Sequence, residues 1–235
     1  MGVYTRISET AFDEMQLDAG ILLNTFNVAN PNVQDSHIIT ATTGGINVSC
    51  TPTYEDIAED VDNAPNNMKE FKKLTGWDCK ISGTGLSTNY AMIERTLGAA
   101  DTTSTTTYVA STDTTVQQGK DYYTRSGSSP NYTYTKVTSP TGNPSTSNYY
   151  EIDTVQYTIK PRKDVEDSDF EDLWWVGDRA DGGFVAVKLI NALSTGGFVL
   201  QSTKNGKGNI SFEYTGHVSS ANQTVMPMVI YSVEA

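Results

Sequence analysis

The sequence predicts a mainly β protein, an antiparallel β-sandwich or barrel with one flanking α-helix and a small inserted β module. Three observations carry this. Apolar residues recur at every second position in many short runs, the period of a strand with one buried face. Glycine, asparagine and proline punctuate those runs at turn spacings. Only one stretch has helical spacing with a stop signal after it, so β does not alternate with α as in a parallel fold. The 235 residues include 13 Tyr, 19 Gly and 8 Pro, a mixture that suits pleated surfaces and turns better than helices.

The elements follow in order. Asp18-Ala19-Gly20 leads into an apolar strand, Ile21-Leu22-Leu23, and Ile38 to Ala41 runs into a turn at Thr43-Gly44-Gly45. Ile46, Val48 and Cys50 alternate, and Pro52 is expected to stop that strand because it lacks an N–H for the ladder. The stretch Tyr54 to Thr75 is polar, acidic at first and split by Pro65. Ile57 and Val61 stand four apart, and Met68, Phe71 and Leu74 recur every three, which fits either short helices or a long protruding arm. Trp77 to Ser82 returns to strand alternation. Asn89 to Leu97 then reads as the helix, with Ser87 or Thr88 as its cap, Tyr90, Ile93 and Leu97 on one face, and Gly98 at its end.

Composition shifts after Ala100. Residues 101–155 are mostly Thr, Ser, Tyr, Gly, Asn and Pro and read as an inserted β module, with a disordered Ser/Thr linker as the rival. A weak internal repeat runs through them. Val109-Ala110-Ser111 leads to Tyr122-Tyr123-Thr124, and Val137-Thr138-Ser139 leads to Tyr149-Tyr150-Glu151. From Gln156 the core pattern is expected to resume, first with Tyr157 and Ile159. Leu173-Trp174-Trp175-Val176 reads as a buried strand, and Phe184 to Ile190 alternates. Phe198–Ser202 and Ile210–Thr215 flank the hairpin signal Asn205-Gly206, and Met228 to Val233 closes the chain as a strand. The expected division is therefore 1–100 with 156–235 as the core and 101–155 as the insert.

Few residues point to chemistry. Sixteen basic against 28 acidic residues give a net charge of −12, which opposes nucleic-acid binding by phosphate neutralisation. His37 and His217 are the only histidines, and neither has a likely ligand near it in sequence. Cys50 and Cys79 sit on the core faces of strands and read as small buried thiols. A bridge between them is conceivable but disfavoured in a reducing cytosol. Neither a Walker loop nor a Gly-x-Ser-x-Gly elbow occurs. Two acidic clusters stand out, Glu55 to Asp62 and Asp164 to Asp172. Neither has the spacing of a calcium loop, so both read as solvated acidic loops. The N-terminus lacks the apolar core of a signal peptide, and no apolar run is long enough for a membrane helix, so the protein is expected to stay in the cytoplasm where it is made.

Several ordered blocks resemble the major tail (tail tube) proteins of siphophages. These are Thr40 to Cys50, Glu59 to Asn63, Gly76 to Ser82, Asp169-Phe170, Trp174 to Arg179, Asp181 to Phe184, Asn191 to Phe198, Thr203 to Gly208, Thr215 to Val218 and Val225 to Met228. Together they span roughly 10–100 and 156–235, and 101–155 departs from the pattern. The resemblance implies the phage tail tube fold and a structural subunit without catalytic residues, cofactor or metal. Six copies would close into a ring, and rings would stack into a tube that conducts phage DNA without binding it specifically. The implied partners are further copies of the chain and the tape-measure, tail-tip and tail-terminator proteins, with no membrane partner. The implied location is the virion tail, assembled in the bacterial host cytoplasm. Within that reading, Tyr54, Ile57, Asp60, Asn63, Met68 and Phe71 are candidates for a stacking arm between rings, and Asp164, Glu166, Asp167 and Asp169 for an acidic lumen or interface. One alternative is a phage surface module that binds carbohydrate through the Tyr-rich insert. Another is a glycan hydrolase that uses paired acidic residues.

Overall fold

The computed structural model describes residues 7–58, 61–62, 68–202 and 204–234. The chain divides into two compact units, one of residues 1–100 and 161–235, the other Asp101–Lys160. Tyr157 and Ile159, expected to begin the return to the core, therefore belong to the second unit. Beside them the Thr103 hydroxyl donates to the Thr158 carbonyl at 3.4 Å, within the same unit.

In the first unit, β1 (Gln16–Leu23), β2 (Ile38–Thr40), β3 (Thr42–Asp56) and β4 (Lys72–Gly85) precede the helix α1 (Tyr90–Leu97). The strands after the second unit are numbered on from β5–β8, described below: β9 (Glu171–Arg179), β10 (Phe184–Ser194), β11 (Val199–Gln201), β12 (Asn209–Thr215) and β13 (Met228–Val233). They form one nine-stranded antiparallel sheet in the order β2-β1-β9-β10-β12-β4-β3, with β11 beside β12 and β13 beside β10. The sheet folds over at β10. Phe184 to Leu189 pair with β9 on one side and β13 on the other, whereas Leu193 and Ser194 pair with β12. Between those stretches Asn191 takes a left-handed φ of 47°, a conformation asparagine tolerates better than branched residues. Its side chain donates to the His217 carbonyl at 3.2 Å, and its backbone N–H reaches the Asp172 carboxylate at 3.3 Å.

Folding over brings apolar faces together. Leu22, Leu173, Trp175, Val187 and Leu189 from one half meet Cys79, Ile81, Ile210, Phe212 and Tyr214 from the other, and Met92 of α1 joins them. Complete burial of side chains such as Leu189 and Ile81 stabilises the fold by about 1.5–3 kcal/mol each. The strand β9 is buried at five successive positions, Leu173 to Gly177, because its other face is covered too. There Trp174 and Val176 pack with Leu23 and Ala186, supported by Phe26, Phe184 and Tyr231. Trp174 meets the edge of Phe26 and lies over Tyr231, each with ring centres 5.8 Å apart.

Local details correct several expectations. Asp18-Ala19-Gly20 is a bulge inside β1, not a turn before it: Asp18 and Gly20 have positive φ, and the register with β9 shifts there. The bulge turns the Ala19 carbonyl toward the Trp175 indole N–H, which donates to it at 3.0 Å. Gly44 and Gly45 likewise sit in a bulge within β3. Pro52 does not end β3. It lies opposite Trp77 in an edge strand, where a missing N–H need cost no ladder bond. Cys50 faces Cys79 directly across β3 and β4, and the two are joined as a disulfide, which corrects the reading of two separate thiols. In α1 the cap is Asn89, whose side chain accepts from the Met92 N–H at 2.9 Å. The buried residues are Met92 and Thr96, while Tyr90 is exposed. Thr96 can be buried because its hydroxyl donates to the Met92 and Ile93 carbonyls at 3.0 and 2.9 Å.

The second unit is a four-stranded sheet of β5 (Ala100–Ala110, whose first residue belongs to the first unit), β6 (Tyr123–Ser128), β7 (Asn131–Lys136) and β8 (Tyr149–Pro161, whose last residue belongs to the first unit), in the order β5-β8-β6-β7. The weak repeat has a structural counterpart. Each copy is a strand end, a loop and a tyrosine pair that opens the next strand. Ser111 N–H donates to the Tyr149 carbonyl at 2.7 Å, and Val137 N–H to the Tyr122 carbonyl at 2.8 Å. One face of the sheet is closed by the loops around buried Tyr122, Pro144 and Ser111. The Tyr122 hydroxyl donates to Asp113 at 2.6 Å, and Lys120 bridges Asp113 and Glu151 at 2.8 and 2.7 Å. Lys120 and Tyr122 hold the Asp113 carboxyl below the ordinary carboxylate range.

Two outcomes test this packing. A Cβ on Gly20 would lie 2.5 Å from the Val176 carbonyl oxygen, whereas one on Gly45, also at positive φ, would meet nothing within 4 Å. Gly20→Ala is expected to cost at least about 3 kcal/mol in urea unfolding, and Gly45→Ala only about 1–2 kcal/mol for the backbone conformation alone. In the second unit, a depressed carboxyl pKa contributes stability that is present above the unfolded value of 3.8 and lost as pH falls through the folded one. The near-ultraviolet dichroism of the wild type should therefore change as pH falls below about 4, with that component absent in Asp113→Asn.

Candidate assembly surfaces

The β3–β4 hairpin is longer than the core it serves. Pairing runs from Thr42↔Gly85 out to Asp56↔Lys72, past the point where other strands can cover it. One face carries a continuous apolar ladder of Val48↔Ile81, Cys50↔Cys79, Pro52↔Trp77 and Tyr54↔Leu74. Exposure rises along it: Ile81 is buried, Trp77 is 38% exposed, Leu74 44% and Tyr54 60%. The ladder ends in a distal connection where Ile57 N–H donates to the Phe71 carbonyl at 3.1 Å and a 3-10 turn spans Lys69–Phe71. Ile57 and Val61 there are 60% and 55% exposed. An Asp56–Lys72 ion pair at 3.5 Å and a Thr75 hydroxyl bond to the Thr53 carbonyl at 3.1 Å tie the two strands together.

Of the arm candidates, Tyr54 and Ile57 thus form part of an exposed apolar surface, with Met68 and Phe71 half-buried beside them. Asp60 and Asn63 lie outside the described residues. The two readings left open for Tyr54 to Thr75 resolve toward a β-hairpin that carries a single 3-10 turn among its described residues. Leu74 and Trp77, read in sequence as part of a three-residue spacing and of a strand, were not among the arm candidates, because their shared face depends on a bulge between Thr53 and Tyr54 that shifts the register.

Edge strands add further apolar surface. Among the described residues β13 pairs only with β10, and its Ile230 is 62% exposed. Among the described residues β11 likewise pairs only with β12, and it exposes Val199 and Leu200. An uncovered edge of this kind offers unpaired N–H and C=O groups to a strand of another molecule.

The acidic candidates separate into two kinds. Asp164, Glu166 and Asp167 are exposed. Asp169 is half-buried and held by Arg162, which also reaches Glu166 at 3.3 Å. Glu166 and Asp169 close a reciprocal capping box around the 3-10 turn Asp167–Asp169, so Asp169 has a structural partner. Nearby, a cleft of about 300 Å³ is lined by Tyr90, Arg95, Glu171, Ser194 and Tyr214 among others. Arg95 and Glu171 neutralise each other across it at 2.8 Å. The Tyr214 hydroxyl is buried there without a hydrogen-bond partner among the described residues, and burial pushes its pKa up to about 12.

His37 and His217 are far apart in role. His37 ends a 3-10 turn before β2, and His217 pairs with the Asn191 backbone at the sheet corner. Among the described residues no group of three or more His, Cys, Asp or Glu side chains is placed to hold a metal ion. None of their helices is long and apolar enough to cross a membrane. No family model and no curated protein matches this chain.

If the apolar ladder is an association surface, charging its outer rung separates association from folding. The double variant Tyr54→Lys/Leu74→Lys should unfold within about 1 kcal/mol of the wild type, since both residues are exposed. In sedimentation velocity it should remain a monomer at concentrations where the wild type associates.

Proposed function

We propose that this chain is a structural virion subunit, a tail tube protein that polymerises into stacked, hexameric rings enclosing the conduit for phage DNA. The observation that carries the reading is the apolar ladder of the β3–β4 hairpin, a face continuous with the core yet uncovered in the single subunit. Monomers rarely keep contiguous apolar surface without using it. In a ring, the free edges of β13 and β11 supply strand-to-strand pairing between neighbours. The hairpin supplies a lever that reaches from one ring to the next. The same geometry turns an aggregation hazard into closed, repeating contacts.

Charge supports the conduit. With a net charge of −12, the tube has little to gain from counterion release by phosphate, so DNA slides without adsorbing. The exposed Asp164, Glu166 and Asp167 are the residues this reading places on the lumen or at a subunit boundary. The further partners of such a subunit are the tape-measure, tail-tip and tail-terminator proteins. It needs no cofactor and performs no catalysis.

Negative-stain electron microscopy of the purified chain over a concentration series, with and without a tail-tip complex, tests this. Rings or tubes of uniform diameter with a stain-filled centre are expected, and monomers under both conditions would reject the reading. A second expectation concerns the second unit. Arg162 N–H donates to the Ala99 carbonyl at 2.9 Å, so the first unit's chain ends already meet where the second unit departs. Deleting 101–160 and joining Ala100 to Pro161 should leave a folded protein that still assembles. Loss of rings in a folded deletion variant would assign the second unit to assembly.

A further inference from the structure

The second unit's sheet has one face closed by loops and one that its own loops leave open. On the open face, Tyr123 lies directly opposite Tyr150 and Lys136, and Arg125 opposite Tyr134. Tyr108 stacks on Tyr134 with ring centres 3.9 Å apart and meets the edge of Tyr123 at 5.1 Å, and Tyr134 meets Tyr150 at 5.4 Å. Arg125 is clamped in this array, its guanidinium carbon 4.3 Å from the Tyr132 ring centre and 4.7 Å from that of Tyr150.

The clamp leaves Arg125's polar atoms without work to do inside the protein. Lys120 and Lys136 of the same unit are paired with carboxylates, whereas Arg125 is exposed and has no hydrogen bond or ion pair among the described residues. Stacking occupies the faces of a guanidinium and leaves its in-plane N–H fork free, the geometry that grips a carboxylate or phosphate through two bonds. Tyrosine rings beside it offer apolar faces and hydroxyl tips, which match the C–H faces and hydroxyls of a pyranose.

We infer that this face binds an acidic glycan, with Arg125 recognising a carboxylate or phosphate group while the tyrosines contact the sugar. Charge selects this occupant over nucleic acid. Residues 101–160 contain five acidic and four basic side chains, so all but one of the chain's twelve net negative charges lie elsewhere. Among the described residues, one unpaired cation within the tyrosine array suits a sparsely charged polysaccharide and not the phosphate density of a nucleic acid. The inference does not depend on tube formation, since a monomer carries the whole site.

Affinity electrophoresis of the full chain tests it, in gels containing oligogalacturonate, poly(glycerol phosphate) or neutral dextran. Retardation in at least one anionic gel is expected, at an apparent affinity at least tenfold above that in dextran, and the gel that retards identifies the anion. Arg125→Gln should lose at least tenfold. Arg125→Lys, which keeps the charge without the planar fork, should lose at least threefold. Should either variant misfold by near-ultraviolet dichroism, the wild-type Arg125 Nε–H resonance provides the readout. It should shift on titration with the retarding polymer. Equal retardation in dextran, none in either anionic gel, undiminished binding by folded Arg125→Gln or an unmoved Arg125 resonance would each overturn the assignment.

Discussion

The bend of β10 at Asn191 is the constraint on which the first unit depends, because it makes one strand a member of both halves of the folded sheet. Up to Leu189 the strand lies between β9 and β13, and after Asn191 it pairs with β12. A sheet that folds over must still satisfy its backbone groups at the fold. Here the Asn191 side chain, the Asp172 carboxylate and the His217 backbone take up those bonds. The corner in turn brings Leu189 and Val187 against Ile210 and Phe212, so a polar residue in a left-handed conformation sets up the apolar core.

The exposed apolar surface of the β3–β4 hairpin follows from a mismatch of lengths. The β3–β4 ladder is longer than the strands that pack against it, so its apolar face outruns the core and ends in exposed Tyr54 and Leu74. A two-stranded ribbon alone is marginal in water, and this one is rooted in the core at Ile81 and Cys79. The hairpin is thus anchored in the core at one end and exposes apolar surface at the other.

The second unit solves a different problem with different residues. It has few branched aliphatic side chains, and its closed face is centred on Tyr122, whose hydroxyl must be satisfied when its ring is buried. That hydroxyl donates to Asp113 and accepts from the Gln117 N–H, and Lys120 links Asp113 to Glu151 beside it. Tyrosine on the open face gives contact area with a wet tip, so the same residue type builds both an interior and a surface there.

Much of this was legible in the sequence. The alternation around Ile46, Trp77 and Phe184, the continuous run Leu173 to Val176 and the Asn-Gly turn specify strands, burial and a hairpin through short-range geometry, since side chains alternate with period two. Tyr54 and Ile57 stood out in sequence as apolar residues in a polar stretch, and both are exposed on the β3–β4 hairpin and its distal connection. Only the tertiary structure decided the rest. The Cys50–Cys79 pairing, the bulge at Gly20, Pro52 within an edge strand and the alignment of Leu74 with Tyr54 all depend on register between strands. So did the face of α1: Met92 and Thr96 turn inward because a threonine hydroxyl can be satisfied by its own helix. Sequence spacing determines which residues share a face. It does not determine which strand lies opposite, because register is set by the packing of distant segments.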